Sequence, residues 1–236
     1  MPRPKQTTWL SPLEKSKPQT KICKLCFKEY EERSLPYLFN NNLIICSLCL
    51  KEIRAHFIRF DVLGYKALSI YKYDSKIQSL LYQLKGCFDI EIADVFFSRY
   101  FREISFRYKN YLVVPIPSYE KDDKKREFNH VEEIFKLLKL PMRKLIVKTK
   151  GVKQANSSFE KRKDIGKYML LNDVTNLSKT KILLVDDVYT TGSTMKAAVR
   201  LIEKLHPKDI KILVMSKVEN KGDNRNSKYL LFDTFI

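Results

Sequence analysis

The chain has 236 residues, enough to bury a sizeable core in one main domain and still carry a small module. Its 45 Lys and Arg against 27 Asp and Glu give a formal net charge of +18. That balance favours polyanionic partners such as nucleic acid, phosphorylated metabolites or an acidic membrane face, unless lysine simply fills solvated faces in a chain rich in Ile, Asn, Phe and Tyr. No apolar run approaches the ~18 residues that span a bilayer, and the N-terminus carries charge and proline without the apolar stretch of a secretory signal. A cytoplasmic protein with reduced cysteines is therefore expected.

In chain order, residues 1–20 read as a flexible basic tail, 21–58 as a small module and 59–236 as the main domain. The module is defined by "CKLC" at Cys23 and Cys26 and "CSLC" at Cys46 and Cys49, two knuckles separated by 19 residues. Four thiolates on two tight turns can close a tetrahedron around zinc, and a complete protein ligand set leaves no open position, so the site is structural. Between the knuckles the sequence reads as a hairpin, with "NNN" as its bend and "LII" as a short strand. Cys87 lies outside the set, and His56 reads as surface or packing.

Residues 75–104 place Ile77, Leu80, Leu81 and Leu84, then Ile92, Val95, Phe96 and Phe101, at helical intervals, with Gly86 and Asp89 separating two helices. "YLVVPIP" (111–117) reads as a buried parallel strand ending in a stiff loop. "SYEKDDKKREF" reads as a highly charged loop, and "NHVEEIFKLLKL" as a helix with Val131, Ile134, Phe135 and Leu138 on one face. "KLIVK" (144–148) is a further strand, and 149–167 a long polar, basic loop. Strand "KILLV", helix "TMKAAVRLIEKL" and strand "IKILVMSKV" complete a βαβ unit. Strands alternating with helices imply an α/β domain with a mostly parallel sheet flanked by helices.

The chemistry concentrates in "KILLVDDVYTTGSTM" (181–195). The strand is expected to end at Asp186 and Asp187, at the carboxyl edge where ligands bind in open α/β sheets. Thr190, Thr191, Gly192, Ser193 and Thr194 then lead into a helix whose free N–H groups and positive end suit a phosphate. Carboxylates repel phosphate but accept hydrogen bonds from hydroxyls. A ligand that satisfies both halves carries a phosphate and, a few ångströms away, a vicinal diol: a ribose 5-phosphate. A P-loop would need a lysine after its glycine turn, and a dinucleotide fold would need GxGxxG; neither is present. Helix capping accounts for one or two of these residues and not for the ordered set.

The segment "ILLVDDVYTTGST" resembles the phosphoribosyl-pyrophosphate (PRPP) motif of type I phosphoribosyltransferases. With the double CxxC, "LLYQLKG", "VVPIPSYEKDDKKREFNH" and "KQANSSFEKRK" in that order, residues 21–220 resemble the ComF family of competence-associated proteins. The resemblance implies a type I phosphoribosyltransferase core with a zinc module, PRPP bound with magnesium, and a role in DNA uptake during natural transformation. It implies that Asp186 and Asp187 hold the ribose hydroxyls and Thr190–Thr194 the 5′-phosphate. Ser118 and Tyr119 fall in its pyrophosphate loop, and Gln154 and Arg162 in its flexible loop. The family's Arg-Gly-Phe-Asn-Gln reads here Arg126, Glu127, Phe128, Asn129, His130, and the asparagine expected after Arg162 is replaced by other residues near Ile165.

Two functions follow. One is a binding protein in DNA handling, with single-stranded DNA tracked by basic loops at 121–126 and 144–163, beside Tyr119, Phe128 and Phe159, and with competence or DNA-processing proteins as further partners. The other is an active phosphoribosyltransferase in nucleotide salvage or biosynthesis, in which pyrophosphate leaves C1′ and an acceptor attacks. No acceptor site is legible.

Overall fold

In the computed structural model the described residues are 20–31, 43–148, 169–172 and 176–219. The basic tail up to residue 19, the "NNN" bend, and the 149–167 loop with Gln154, Phe159, Arg162 and Ile165 lie outside them.

A short hairpin, β1 (Thr20–Ile22) with β2 (Glu29–Glu31), carries the first cysteine knuckle on its turn. The second knuckle opens α1 (Ser47–Glu52). The "LII" segment is not a strand: Leu43–Ile45 is irregular and is held by the Lys24 N–H donating to the Ile44 carbonyl at 2.9 Å.

The main sheet has five strands in the order β3 (Ile58–Val62), β4 (Tyr65–Lys72), β9 (Asp209–Lys217), β8 (Lys181–Tyr189), β5 (Tyr111–Pro115). Edge strand β3 is antiparallel to β4, and β4, β9, β8 and β5 run parallel. The β3–β4 turn is two residues, Leu63 and Gly64, both with positive φ (50° and 87°), the twist-matched geometry of tight hairpins.

The parallel strands are apolar on both faces because both are covered. In β8, Leu183 and Val185 face a layer containing α2 (Ser75–Gly86), α3 (Ala93–Phe97) and α6 (His130–Lys136), while Ile182 and Leu184 face α7 (Ser193–Glu203). A separate antiparallel pair, β6 (Ile146–Lys148) with β7 (Met169–Leu171), joins the α7 side.

Three readings need correction. Beyond Gly86 the chain makes a 3₁₀ turn at Ile90–Ile92, then α3, then α4 (Phe101–Arg107), rather than one second helix. Strand β8 does not stop at the acid pair but runs through it to Tyr189. The charged segment after β5 is not a loop but a helix, α5 (Glu120–Arg126). Its stability owes nothing to apolar periodicity. Acids in its first turn and bases in its last complement the helix dipole, and Glu120–Lys124 (2.8 Å) and Asp123–Arg126 (2.7 Å) pair along one side.

Candidate functional site

Four sulfurs meet at one point. The Sγ atoms of Cys23, Cys26, Cys46 and Cys49 all lie within 4.8 Å of one another, and Cys26 and Cys46 are 3.7 Å apart, close to the ~3.8 Å edge of a tetrahedron with 2.3 Å metal–sulfur bonds. Burial pushes the Cys23 thiol up, but the backbone N–H groups of Cys26, Cys46 and Leu25 outweigh it and bring it down to about 7. Burial and the other three sulfurs push Cys49 up. Without a cation the four cannot all be thiolates; the donor set fits a metal ion. Cys23, Cys46 and Cys49 belong to the same apolar cluster as Ile53, Leu80 and Phe96, so the ligand set is built into the core rather than hung from it.

The second cluster sits at the carboxyl edge of the sheet. Alternation along β8 places Asp187, in step with Leu183 and Val185, toward α2 and α6, and Asp186, in step with Ile182 and Leu184, toward the α7 side. Asp187 is 6% exposed and its Oδ2 contacts Lys85 Nζ from the end of α2. His130 Nε2 from α6 lies 3.5 Å from the same oxygen; burial, then the positive charges of Lys85, Arg126 and Lys148, hold this imidazole well below its usual range, so it is neutral. Burial pushes Asp186 up to about 7, opposed by Lys85 and Lys148. Burial likewise lowers Lys85 to about 8, against the attraction of Asp186. A pair of carboxylates is thus met by cations that sequence reasoning missed. "LLYQLKG" carries part of the family resemblance, yet nothing in its periodicity says that Lys85, one step off the apolar stripe, turns back onto β8.

After Tyr189 the chain turns at Gly192 (φ 74°), which caps α7 in the left-handed conformation. Thr190 and Thr191 are exposed, Ser193 and Thr194 half-buried, and the Thr191 and Ser193 hydroxyls are 3.0 Å apart. The free N–H groups of the first turn of α7 open beside them.

Strand β5 brings its own loop to the same edge: Ile116 N–H donates to the Val185 carbonyl at 2.9 Å. Ser118 lies there, but its hydroxyl donates to the Asp123 carboxylate. Asn129 Nδ2 donates to both Ser118 Oγ and Asp123 Oδ2 at 2.8 Å, while its Oδ1 caps α6 by accepting from the Glu132 N–H at 3.0 Å. Tyr119 is the N-cap residue of α5. Glu127 ends that helix at φ 66°, the backbone state for which glycine is favoured.

A parallel sheet carrying an acid pair and a small-residue turn at one edge defines a phosphoribosyltransferase-type core. Consistently, the family model "Phosphoribosyl transferase domain" matches residues 131–234. Across its length the chain is similar to Competence protein ComFC of Bacillus subtilis, 27% identical over 197 residues and 80% of each chain. It is equally similar to Competence protein ComFC of Streptococcus pneumoniae, 27% identical over 80% of this chain and 83% of the other. With the four-cysteine cluster, these matches make the chain similar to the ComFC competence proteins in sequence. Among solved structures, the purine phosphoribosyltransferase of Pyrococcus horikoshii overlaps 53% of this chain and 72% of its own at 17% identity with a TM-score of 0.33, too loose a match to carry weight. No helix among the described residues is long and apolar enough to cross a membrane.

Proposed function

We propose that this protein binds PRPP with magnesium at the acid pair and acts in DNA uptake during natural transformation. One observation carries the reading: Asp186 and Asp187 lie on β8 immediately before a glycine-capped turn into α7. The carboxylates accept from the 2′ and 3′ hydroxyls, and Thr190–Thr194 with the first N–H groups of α7 receive the 5′-phosphate. Magnesium would be carried by the pyrophosphate, near the loop of Ser118 and Tyr119. The four cysteines hold zinc, whose preference for four thiolates matches the donor set. The competence role is drawn from the two ComFC relatives.

The test is a thermal melt of the full chain with and without PRPP and magnesium. PRPP should raise the melting temperature only when magnesium is present, by mass action on the folded state. The shift should vanish in Asp186→Asn/Asp187→Asn. An undiminished shift in that double variant would show that the acid pair does not hold the ribose.

A further inference from the structure

A groove of about 610 Å³ runs between the cysteine module and the helical layer that covers the main sheet. That volume lies within the ~300–1,000 Å³ of ligand clefts, and none of its lining residues belongs to the acid-pair site. One wall is the β1–β2 hairpin, where Lys21 and Tyr30 are cross-strand partners. Facing it are Asp94 of α3 and Phe101 at the start of α4, with Leu137 and Lys139 from just beyond α6.

The groove is fixed by contacts that a ligand need not supply. Lys24, inside the first knuckle, reaches Asp94 at 3.3 Å and Glu91 of the 3₁₀ turn at 2.5 Å. Its backbone N–H donates to the Ile44 carbonyl at 2.9 Å, and the Tyr30 hydroxyl donates to the Leu43 carbonyl at 3.0 Å. A preformed groove spares an incoming segment the cost of ordering it.

Its chemistry is an apolar strip inside a basic rim. Tyr30, Ile44, Phe101 and Leu137 are only half-buried, so part of their apolar surface opens onto the groove. Among the lining residues Lys21, Lys24 and Lys139 stand against one carboxylate, Asp94, which Lys24 already pairs. Positive charge is left over at Lys21 and Lys139. Ile22, Phe27 and Leu48 of the same module are exposed, and Ile22 lines the groove itself. Exposed apolar surface with a polar rim marks protein contacts. Nucleic acid fits less well: Leu43, Ile44 and Leu137 offer no stacking faces, and Asp94 repels phosphate.

We propose that this groove docks a short segment of a partner protein in which acidic residues are mixed with large apolar ones. The apolar side chains lie on Ile44, Phe101 and Leu137, and the carboxylates meet Lys21 and Lys139. The cysteine module is then one jaw of a protein-binding site, a role separate from any ligand at the acid pair.

The test is selection of short random peptides by display on the full chain, followed by fluorescence anisotropy of the enriched sequences. Those sequences should be both acidic and apolar. Phe101→Ala and, separately, Lys21→Glu/Lys139→Glu should each weaken them about tenfold, the scale of a lost interface anchor, and the charge effect should shrink as salt rises. Lys21→Arg/Lys139→Arg should keep binding. The rim pair changes side chains at the mouth of the groove and should melt with the native chain, so a loss there reads docking rather than folding. Enrichment of basic peptides, of acidic ones insensitive to both variants, or of nothing overturns the proposal. The chain's own "YLLFDTFI" (229–236) has the same mixture of groups, so Leu230→Ser/Phe232→Ser reads an internal occupant. Unchanged peptide affinity in that variant supports a partner; a rise of about tenfold shows the chain competing for its own groove and overturns the partner. A native dimer in sedimentation that Lys21→Glu/Lys139→Glu dissolves assigns the groove to a second copy and overturns it likewise.

Discussion

Lys85, at the end of α2, rests against Asp187 of β8, so one of the two carboxylates proposed to hold the diol already holds a cation from its own chain. Together with Lys148 it also attracts Asp186 through its charge, and the site is a balanced cluster rather than an open acidic patch. A ligand hydroxyl must share the Asp187 oxygens with Lys85 or take its place. A cleft lined by Tyr73, Gln78, Tyr82 and Gly86 begins at the same lysine, so one side chain borders both that cleft and the acid pair.

The titration of Asp186 follows from its burial. In the unfolded chain this carboxyl ionises near its ordinary value of 3.8, and in the folded chain near 7. Between those values the folded state keeps a proton that the unfolded state releases, so the contribution of Asp186 to stability falls as pH rises through the window and is fully unfavourable above it. Asp186→Asn should therefore melt several degrees above the native chain at about pH 8 and level with it at about pH 4. Lys85→Met removes the leading charge that opposes the rise, and carboxyl-carbon NMR should show Asp186 titrating higher in that variant. A melting difference independent of pH would contradict this account.

The cysteine cluster should hold one zinc ion, measurable by atomic emission on reduced protein. Because three of the cysteines sit in the same apolar cluster as α2 and α3, removing the metal should do more than loosen a module. Cys46→Ser or a strong chelator should lower the melting temperature of the whole chain, in one transition. An unchanged melt after verified metal removal would show that the cluster does not need its ion.

Two backbone positions give opposite predictions. At Gly192 a Cβ would run into the Tyr189 hydroxyl, and φ is positive as well. Gly192→Ala should cost about 2 kcal/mol or more and abolish PRPP stabilisation. Adding Tyr189→Ala should relieve the clash but not the backbone strain. At Glu127 the positive φ sits at an exposed helix end, and Glu127→Gly should stabilise by about 0.5–1 kcal/mol. Chemical denaturation of the three variants reads both signs.

The site is legible where its chemistry is local in sequence. Cys23 to Cys49 declare their cluster by spacing, and Asp186 to Thr194 are contiguous, so β8, α7 and β9 follow directly from the residues. Strand β4 also has a local signal: "YKALSIYK" follows a Leu-Gly turn between two runs of strand formers. Helix α5 has no such signal in its periodicity, because "EKDDKKR" contains no apolar residue. It is fixed by ion pairs and by the net of Ser118, Asp123 and Asn129, which is tertiary. Lys85, His130 and Lys148 come to β8 from three separate elements, and no single stretch announces them.

The position of α5 also changes where single-stranded DNA should bind. As a loop, Lys121, Lys124, Lys125 and Arg126 would form a free basic patch beside the proposed PRPP site. As a helix, 120–126 sets those four bases against Glu120, Asp122 and Asp123, with Arg126 tied to Asp123 and Lys124 to Glu120. The stretch 99–109 is better suited, with Arg99, Arg102, Arg107 and Lys109 against Glu103 alone. It also carries Phe106, 73% exposed, with Lys109 Nζ 4.8 Å from its ring centroid, an aromatic platform beside positive charge. A net charge of +18 makes weak, salt-sensitive binding expected from any face, so location decides the matter. Replacing Arg102, Arg107 and Lys109 with Gln should flatten the dependence of log affinity on log salt by about 0.7 for each phosphate that is no longer neutralised, and Phe106→Ala should weaken binding about tenfold. The same change at Lys121, Lys124 and Lys125 should alter the slope less. Equal effects from the two sets would mean that DNA is held by overall charge, with no preferred face.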